Sequence, residues 1–466
     1  MKPIIKNPKL ITWVLIIFLT LSIIGLAHSD DNIQNLTFPE CPDNPISLEE
    51  AMKIALTHSQ DIQSIIARIE QAKIGIKIAK AAFFPTVSIY TEFTKSNDPI
   101  AYLLKTSRQR KLPPNANFNQ PETFDNYEIG LKFKYNIFQG GKKFYYKNIA
   151  ESVFEEECLE RESIENSLLA SVINAYYDAL VAFDLIKIAE ESVSTVETQL
   201  RLMTVRFNTG GALKSDVLSL DVRLAEVKED LVRSKNFHKN ALALLGTLLG
   251  IGPDSKLKIH ENENKLIDYP QSYSEGVKIA LSKRPELKKL KEKIKQSNIG
   301  LKISKSAYLP SLDFFATRFY DAEDMAFYEE NNNWGMFFTL NWNLFEGGKN
   351  KAEVAKSMKA LKEIMANYKK MILQIKLDVK KAYLYIEDAN ARLTVTKSSV
   401  ISAEESFKLV KRQFDGGSVT ISRYLEAELD RNHAKTRAII AFYDKAKGLA
   451  EIARALGQWG NYEKNK

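Results

Sequence analysis

Metal binding and nucleophilic attack both need clustered side chains, and the candidates in this chain are scattered. Five histidines (His28, His58, His238, His260 and His433) show neither the short spacing of a zinc helix nor cysteine companions. Cys41 and Cys158 could pair in an oxidising compartment, but one sits in an irregular leader and the other inside a long helical segment, so both states stay open. Serine, aspartate and glutamate abound, yet there is no nucleophile elbow and no phosphate-binding glycine loop. The sequence therefore predicts no enzyme, no catalytic residue, no metal and no cofactor. What stands out instead is charge beside glycine turns: Asp216 after Gly210-Gly211, and Arg423 and Glu426 after Gly416-Gly417. Such groups can attract, repel or filter ions.

These positions belong to a duplication. Ile74-Gly75-Ile76-Lys77-Ile78-Ala79-Lys80 returns 225 residues later as Ile299-Gly300-Leu301-Lys302-Ile303-Ser304-Lys305. Phe138-Gln139-Gly140-Gly141-Lys142 returns 207 residues later as Phe345-Glu346-Gly347-Gly348-Lys349. The first copy therefore carries 18 extra residues, all between Pro85 and Phe138. A period this long rules out a solenoid unit and makes each half a large assembly. The division is 30–250 and 271–457 for the two repeats, 251–270 for a polar linker and 458–466 for a tail.

Two periodicities fill each copy. Residues 142–208 contain no glycine or proline over 67 positions. Val172, Ala175, Ala179, Ala182, Ile186, Ala189, Val193, Val196, Leu200, Met203 and Phe207 alternate by three and four, the spacing of a coiled coil. Val379 through Phe414 repeats the pattern. Glycine pairs end both helices, and Ser215-Asp216 and Thr420 to Ser422 offer caps for returning helices that run to about Leu245 and Lys447.

Upstream the period is two. Tyr127, Ile129, Leu131, Phe133, Tyr135 and Ile137 alternate with Glu128, Gly130, Lys132, Lys134 and Asn136. Trp334, Met336, Phe338, Leu340, Trp342 and Leu344 form the matching oily face in the second copy. Aromatics at both ends resemble the girdles of an outer-membrane strand, which makes these the expected lipid-facing residues. Further strands follow Pro85 and Pro310, giving two hairpins whose outer loops are residues 94–125 and 320–333. Four strands are too few to close a barrel, and open edges cannot face lipid, so several copies must pool them.

The front end agrees with export. Lys2, Lys6 and Lys9 precede an apolar run over residues 10–26, and Ala27-His28-Ser29 suits cleavage before Asp30, so residues 1–29 read as a secretory signal peptide. No later stretch is apolar for about 20 residues, which argues against further membrane-spanning helices. Losing the leader's three lysines lowers the net charge from +8 to +5, and the basic residues are spread along helical faces; nucleic acid is a poor partner. A periplasmic adaptor or coiled-coil scaffold is the alternative reading. It accounts for the export signal and the helices but not for the aromatic strands or the duplication.

The chain resembles the TolC-like outer-membrane efflux proteins over essentially its whole mature length. The residues that carry this are Ser47-Leu48-Glu49-Glu50-Ala51 with Ala55-Leu56, Pro85 and Pro310, the two Phe-x-Gly-Gly junctions and the duplicated tips at Gly210 and Gly417. The resemblance implies an α+β membrane protein: a homotrimer with a 12-stranded β-barrel in the outer membrane continued by a 12-helix periplasmic α-barrel. It implies a passive exit duct for efflux or type I secretion. Its partners would be a periplasmic adaptor and an inner-membrane transporter of RND, ABC or MFS type. Carried over by position, adaptor docking falls on Gly210, Gly211, Ala212, Gly417, Ser418 and Val419, and the pore entrance on Asp216, Phe414, Arg423 and Glu426. Family members commonly carry acids where Arg423 and Glu426 stand and a gating tyrosine where Phe414 stands. Arg423 therefore reverses a charge, and Phe414 lacks a hydroxyl.

Overall fold

The computed structural model describes residues 39, 41–42, 44–117, 119–260 and 269–459. The expected leader lies outside the described residues, as do most of the tail and residues 261–268 of the linker. The order is α1 (Leu48–His58), α2 (Gln60–Ala81), β1 (Thr86–Ser96), α3 (Pro99–Arg108), β2 (Phe124–Gln139), α4 (Lys142–Asn208), α5 (Lys214–Leu248), α6 (Tyr273–Lys283), α7 (Pro285–Ser306), β3 (Ser311–Ala322), a 3-10 turn (Glu329–Asn331), β4 (Asn332–Asn341), α8 (Lys349–Asp415) and α9 (Ile421–Leu456). α4 and α8 are each 67 residues long, and α2 and α7 each 22. The chain divides into two compact units, one built on the sheet (residues 73–152 and 295–362) and one helical.

In the sheet unit the strands form one antiparallel sheet in the order β1-β2-β3-β4, not two separate hairpins. β2 and β3 pair from Tyr127↔Ala322 to Gln139↔Ser311. The registers Leu131↔Ile89 and Phe314↔Phe338 put the expected oily residues on one face. There Ile89, Leu131, Trp334, Met336, Phe338 and Leu340 are exposed. Trp342 is a correction: β4 ends at Asn341, which pairs with Ser311, because Pro310 offers no N–H to carry the ladder further. The Trp342 indole instead donates to the Tyr308 carbonyl at 3.1 Å. Arg318 interrupts the same face opposite Leu131 and Trp334, bonded to Asn332, Tyr320 and Glu329 at 3.2 to 3.3 Å. The opposite face is polar but not wholly so. Phe319 lies under Arg108 and Tyr90 under Lys132, and Gly130 makes room for both rings: a Cβ there would stand 2.6 Å from Phe319 and 2.8 Å from Tyr90.

Residues 94–125 are not simply a loop. Within them Asp98 accepts a hydrogen bond from the Ala101 amide at 2.7 Å and Pro99 opens helix α3. Both are standard helix-start chemistry.

The helical unit begins with a capping box. The Glu50 amide donates to the Ser47 hydroxyl at 3.2 Å, and Glu50 accepts from the Ser47 amide at 2.8 Å. Those bonds to Ser47, backbone first, hold the Glu50 carboxyl below its ordinary range. Val172, Ala175, Ala179, Ala182, Ala189, Val196 and Met203 are buried along α4, and Val379, Ala382, Ile386, Ala389, Phe407, Val410 and Phe414 along α8. Phe207, last in the first stripe, is instead 37% exposed. The α4 helix also contains an 18-residue window apolar enough to cross a membrane by length and composition, a point the sequence reading passed over; 61% of it is buried in the chain's own packing, as in a core helix.

Two returning helices run further than expected, to Leu248 and Leu456. Gly448 does not stop α9, because Leu449, Ile452 and Leu456 beyond it pack into a core with Ala280, Ile375 and Val379. The α9 helix ends only at Gly457, which is left-handed at φ 70°. Cys41 and Cys158 are not joined.

The strand-to-helix junctions yield a test. Gly140 and Gly347 are both left-handed, at φ 59° and 58°. A Cβ on Gly140 would stand 2.8 Å from the Ser306 carbonyl, whereas one on Gly347 meets nothing within 4 Å. Either alanine costs about 1–2 kcal/mol for its backbone conformation. Gly140→Ala adds roughly 1–3 kcal/mol of overpacking. Thermal unfolding in detergent should rank wild type above Gly347→Ala and Gly347→Ala above Gly140→Ala.

Candidate functional site

At the ends of α4 and α8 the chain must reverse while satisfying the last carbonyls of a long helix. Both turns do so identically. Gly210 and Gly417 adopt φ 78°. The Gly210 and Gly211 amides donate to Phe207 and Arg206 carbonyls at 3.0 and 2.7 Å; those of Gly417 and Ser418 donate to Phe414 and Gln413 at 3.0 and 2.8 Å. This is the Schellman arrangement, and it assigns the obligatory glycine to the same repeat position in each copy. Gly211 and Gly416 are not left-handed. Of the expected docking residues, Gly210, Gly211, Gly417 and Ser418 are exposed, while Ala212 and Val419 are half-buried against the tip core.

The two tips touch. The Arg206 guanidinium reaches the Asp415 carbonyl at 3.4 Å and lies 6.0 Å from the centre of the Phe414 ring. Phe414 itself is buried, stacked on Tyr424 with ring centres 5.0 Å apart. Burial pushes the Tyr424 phenol up to about 12, with Glu428 adding to the effect. The phenol is therefore neutral at physiological pH.

Asp216 and Arg423 occupy equivalent third positions of α5 and α9, and each is engaged on its own helix. Asp216, rather than Ser215, completes the start of α5: it accepts from the Leu213 amide at 3.3 Å, and Leu213 is the N-cap. Thr420 caps α9 as expected, accepting from the Arg423 amide at 3.4 Å. The Arg423 side chain pairs with Glu426 at 2.7 Å, both well exposed.

Above the tips lies a feature that sequence reasoning missed. Glu428 is fully buried. It accepts two hydrogen bonds from the Arg223 guanidinium, at 3.2 and 2.8 Å, and one from the Ser192 hydroxyl at 2.6 Å. The Asn432 amide donates to both Ser192 and Glu428. One carboxylate thus ties α4, α5 and α9 together. Burial opposes the Arg223 charge, but the bond to Glu428 and its attraction outweigh this and hold the arginine above its ordinary pKa. A cavity of about 280 Å³ borders the cluster, lined by Leu185, Arg223, Asp230, Arg233 and His433 among others. The signal was available: Ile421, Tyr424, Glu428 and Arg431 continue the three-four spacing into α9.

Glu428→Ala takes from Arg223 its buried partner and leaves it the more exposed Glu226 at 3.0 Å, so the loss should fall below the 3–5 kcal/mol or so of a wholly unpaired buried charge, at about 2–3 kcal/mol. The double variant Arg223→Met, Glu428→Leu removes both charges and should recover most of that loss. Denaturant unfolding followed by circular dichroism measures both. A double variant as unstable as the single one would mean that the packing, not the charge, matters here.

The family model for outer membrane efflux proteins matches residues 51–251 and 276–458. The pyoverdine export outer membrane protein OpmQ of Pseudomonas aeruginosa is 24% identical over 416 residues, covering 88% of this chain and 85% of that one. The toluene efflux pump outer membrane protein TtgC of Pseudomonas putida is 24% identical over 423 residues, covering 88% and 83%. The fold matches the Campylobacter jejuni CmeC outer membrane channel with a TM-score of 0.79 at 18% identity, covering 90% of this chain and 88% of that one. The chain belongs to the outer membrane efflux protein family.

Proposed function

We propose that three copies of this chain assemble into a passive exit duct in the outer membrane, serving an efflux or secretion system. One observation carries the assembly of several copies, and the number three is what the family resemblance implies. β1 and β4 are the outer strands of a sheet whose oily face is exposed, so among the described residues each leaves one edge of backbone N–H and C=O groups without a strand partner. In lipid those groups must be satisfied by another strand, and pairing β4 of one copy with β1 of the next supplies it. Three copies give twelve strands, with Trp334, Met336, Phe338 and Leu340 toward lipid and the polar face toward the lumen. The two repeats, 30–250 and 271–457, then contribute equivalent helices to a 12-helix periplasmic barrel. Membership of this family sets aside the adaptor or scaffold reading.

Energy comes from an inner-membrane transporter of RND, ABC or MFS type, and a periplasmic adaptor docks at the exposed tips around Gly210, Gly211, Gly417 and Ser418. Ala212 and Val419, packed on the tip core, support those turns. In a trimer the three Asp216 and three Arg423 side chains alternate around the entrance. Their attraction, worth about 0.2–1 kcal/mol for each exposed pair, biases the entrance toward closed, and Glu426 competes with it for the arginine.

Two experiments test these readings. Phe338 is 68% exposed on the oily face and Thr339 is its inward neighbour. Arginine on a barrel's lipid face at mid-bilayer costs about 2–4 kcal/mol. Phe338→Arg should reduce the trimer recovered from membranes, by crosslinking and light scattering, and Thr339→Arg should not; equal recovery removes the face assignment. Arg423→Asp replaces attraction with six like charges. Its planar-bilayer conductance should rise and its selectivity shift toward cations, while unchanged conductance in an intact trimer excludes the ring as a latch.

A further inference from the structure

Antiparallel pairing brings every strand-to-helix junction to one end of the sheet. Thr86 pairs with Lys134, Gln139 with Ser311 and Ser311 with Asn341, so α2, α4, α7 and α8 all join the sheet at that end. The parts of these helices that belong to the sheet unit are residues 73–81, 142–152, 295–306 and 349–362. Together they hold fourteen lysines, no arginine and two glutamates. Their net charge is +12, whereas the mature chain as a whole carries +5, so everything else amounts to −7. At the opposite end of the sheet, residues 97–123 and 323–331 hold four basic and six acidic residues, a net −2. Along the sequence the lysines are dispersed over four helices. The sheet makes a collar of them.

Much of this charge is uncompensated. Lys77, Lys80, Lys302, Lys305, Lys349 and Lys351 are exposed, and none has an ion-pair partner among the described residues. Like charges gathered in this way repel one another unless anions lie among them.

The collar starts where the oily face stops. Phe84, Tyr308, Trp342 and Phe345 are exposed at that end of the sheet, and rings of this kind lie at the headgroup level of a bilayer. Lys80, Lys305 and Lys349 stand three or four residues from Phe84, Tyr308 and Phe345. The headgroup layer on one side of the hydrocarbon is about 5–8 Å deep, which roughly three to five residues of helix cross. Lys77, Lys302 and Lys351 are up to a turn further away and can reach back along the helix surface. Lys143 shows the direction that one collar side chain takes. Its ammonium lies 4.5 Å from the centre of the Tyr135 ring, on the oily face.

We infer that this lysine collar binds the phosphate groups of anionic lipids in the leaflet that meets the helices. Lysine suits that partner, because an ammonium is a compact charge that accepts phosphate oxygens from any direction. The aromatic residues beside the collar hold it at headgroup depth, which favours a lipid surface over a soluble anion. The opposite end of the sheet, with its net negative charge, should show no such preference. This inference rests on the lipid-facing reading of the oily face and does not depend on the number of copies.

The test uses protein purified from outer membranes and reconstituted in phosphatidylcholine vesicles. The vesicles contain either phosphatidylglycerol or phosphatidylcholine with dibrominated chains, which quench nearby indoles. Trp334→Phe leaves Trp342 to report the collar end, and Trp342→Phe leaves Trp334 to report the other; Trp459 is buried and adds a constant background. At low salt Trp342 should show about a fivefold preference for phosphatidylglycerol, lost at high salt, and Trp334 none. Lys77→Gln, Lys80→Gln, Lys302→Gln, Lys305→Gln, Lys349→Gln and Lys351→Gln together should abolish the preference, and arginine at the same six positions should keep it. Equal quenching of Trp342 by the two lipids overturns the collar and leaves the lipid-facing assignment standing. A preference that survives the six glutamines also overturns it. If neither tryptophan is quenched by either lipid, the lipid-facing assignment falls and the collar with it. The competing partner is the anionic wall polymer. Sedimentation of wild type, but not of the glutamine variant, with purified peptidoglycan, and no lipid preference at Trp342, would assign the lysines to that polymer instead.

Discussion

Backbone hydrogen bonding at the two outer edges of a four-strand sheet is the constraint on which the proposed assembly rests. Among the described residues β1 and β4 each have one edge without a strand partner, and the face they share is lined by exposed aromatic and aliphatic side chains. In water such an edge invites aggregation; in lipid it is not viable. On the proposed assembly, pairing with identical neighbours satisfies the edges and lipid covers the oily face. Nothing comparable holds on the helical side, where most long stripes are already buried within the single chain. Oligomerisation is therefore argued most strongly from the strands.

The parts of this fold that were legible in the sequence are those governed by local rules. α4 begins after Gly141 and ends before Gly210 because no residue between can break it and because left-handed glycines stand at both limits. β2 and β4 read clearly because a period of two runs along each of them, whereas β3, where Arg318 interrupts the apolar face, showed only its first residues after Pro310. What could not be read depends on residues far apart in the chain. α3 lies in a segment rich in proline, asparagine and glutamine that reads as a loop; Asp98-Pro99 was its only local sign, and its anchors Glu128 and Asp321 are distant. The pairing of β2 with β3, which turns two hairpins into one sheet, leaves no trace in either hairpin's own pattern.

The tip region divides in the same way. The turns were recognisable from glycine alone, down to the equivalence of Gly210 and Gly417. The three-four spacing placed Glu428 on the buried stripe, but a glutamate there looks like a break in the seam until its partner Arg223, in the other repeat, is known. Asp216 shows the opposite difficulty. As a charge beside a turn it invites a functional reading, yet within the chain it is occupied in completing the start of α5. A gating role would have to compete with that bond.

Alanine-rich seams bring helices close but say little about their register, since one small residue fits much like another. A buried ion pair with further hydrogen bonds is more demanding. Glu428 can be satisfied only when Ser192, Arg223 and Asn432 arrive together, so sliding any one of α4, α5 or α9 by a turn would strand a charge in the interior. The net contribution of such a cluster to stability can be small, since burying the charges offsets much of their attraction. Its contribution to specificity is larger, because every wrong register loses the attraction and keeps the burial. A motion that opens the tips while leaving this cluster intact must therefore bend the helices below it rather than slide them past one another. On the proposed function, the part of the entrance that bends is the segment between Glu428 and the two glycine turns, where Phe407 and Phe414 pack on Tyr424 and its hydroxyl has no hydrogen-bond partner.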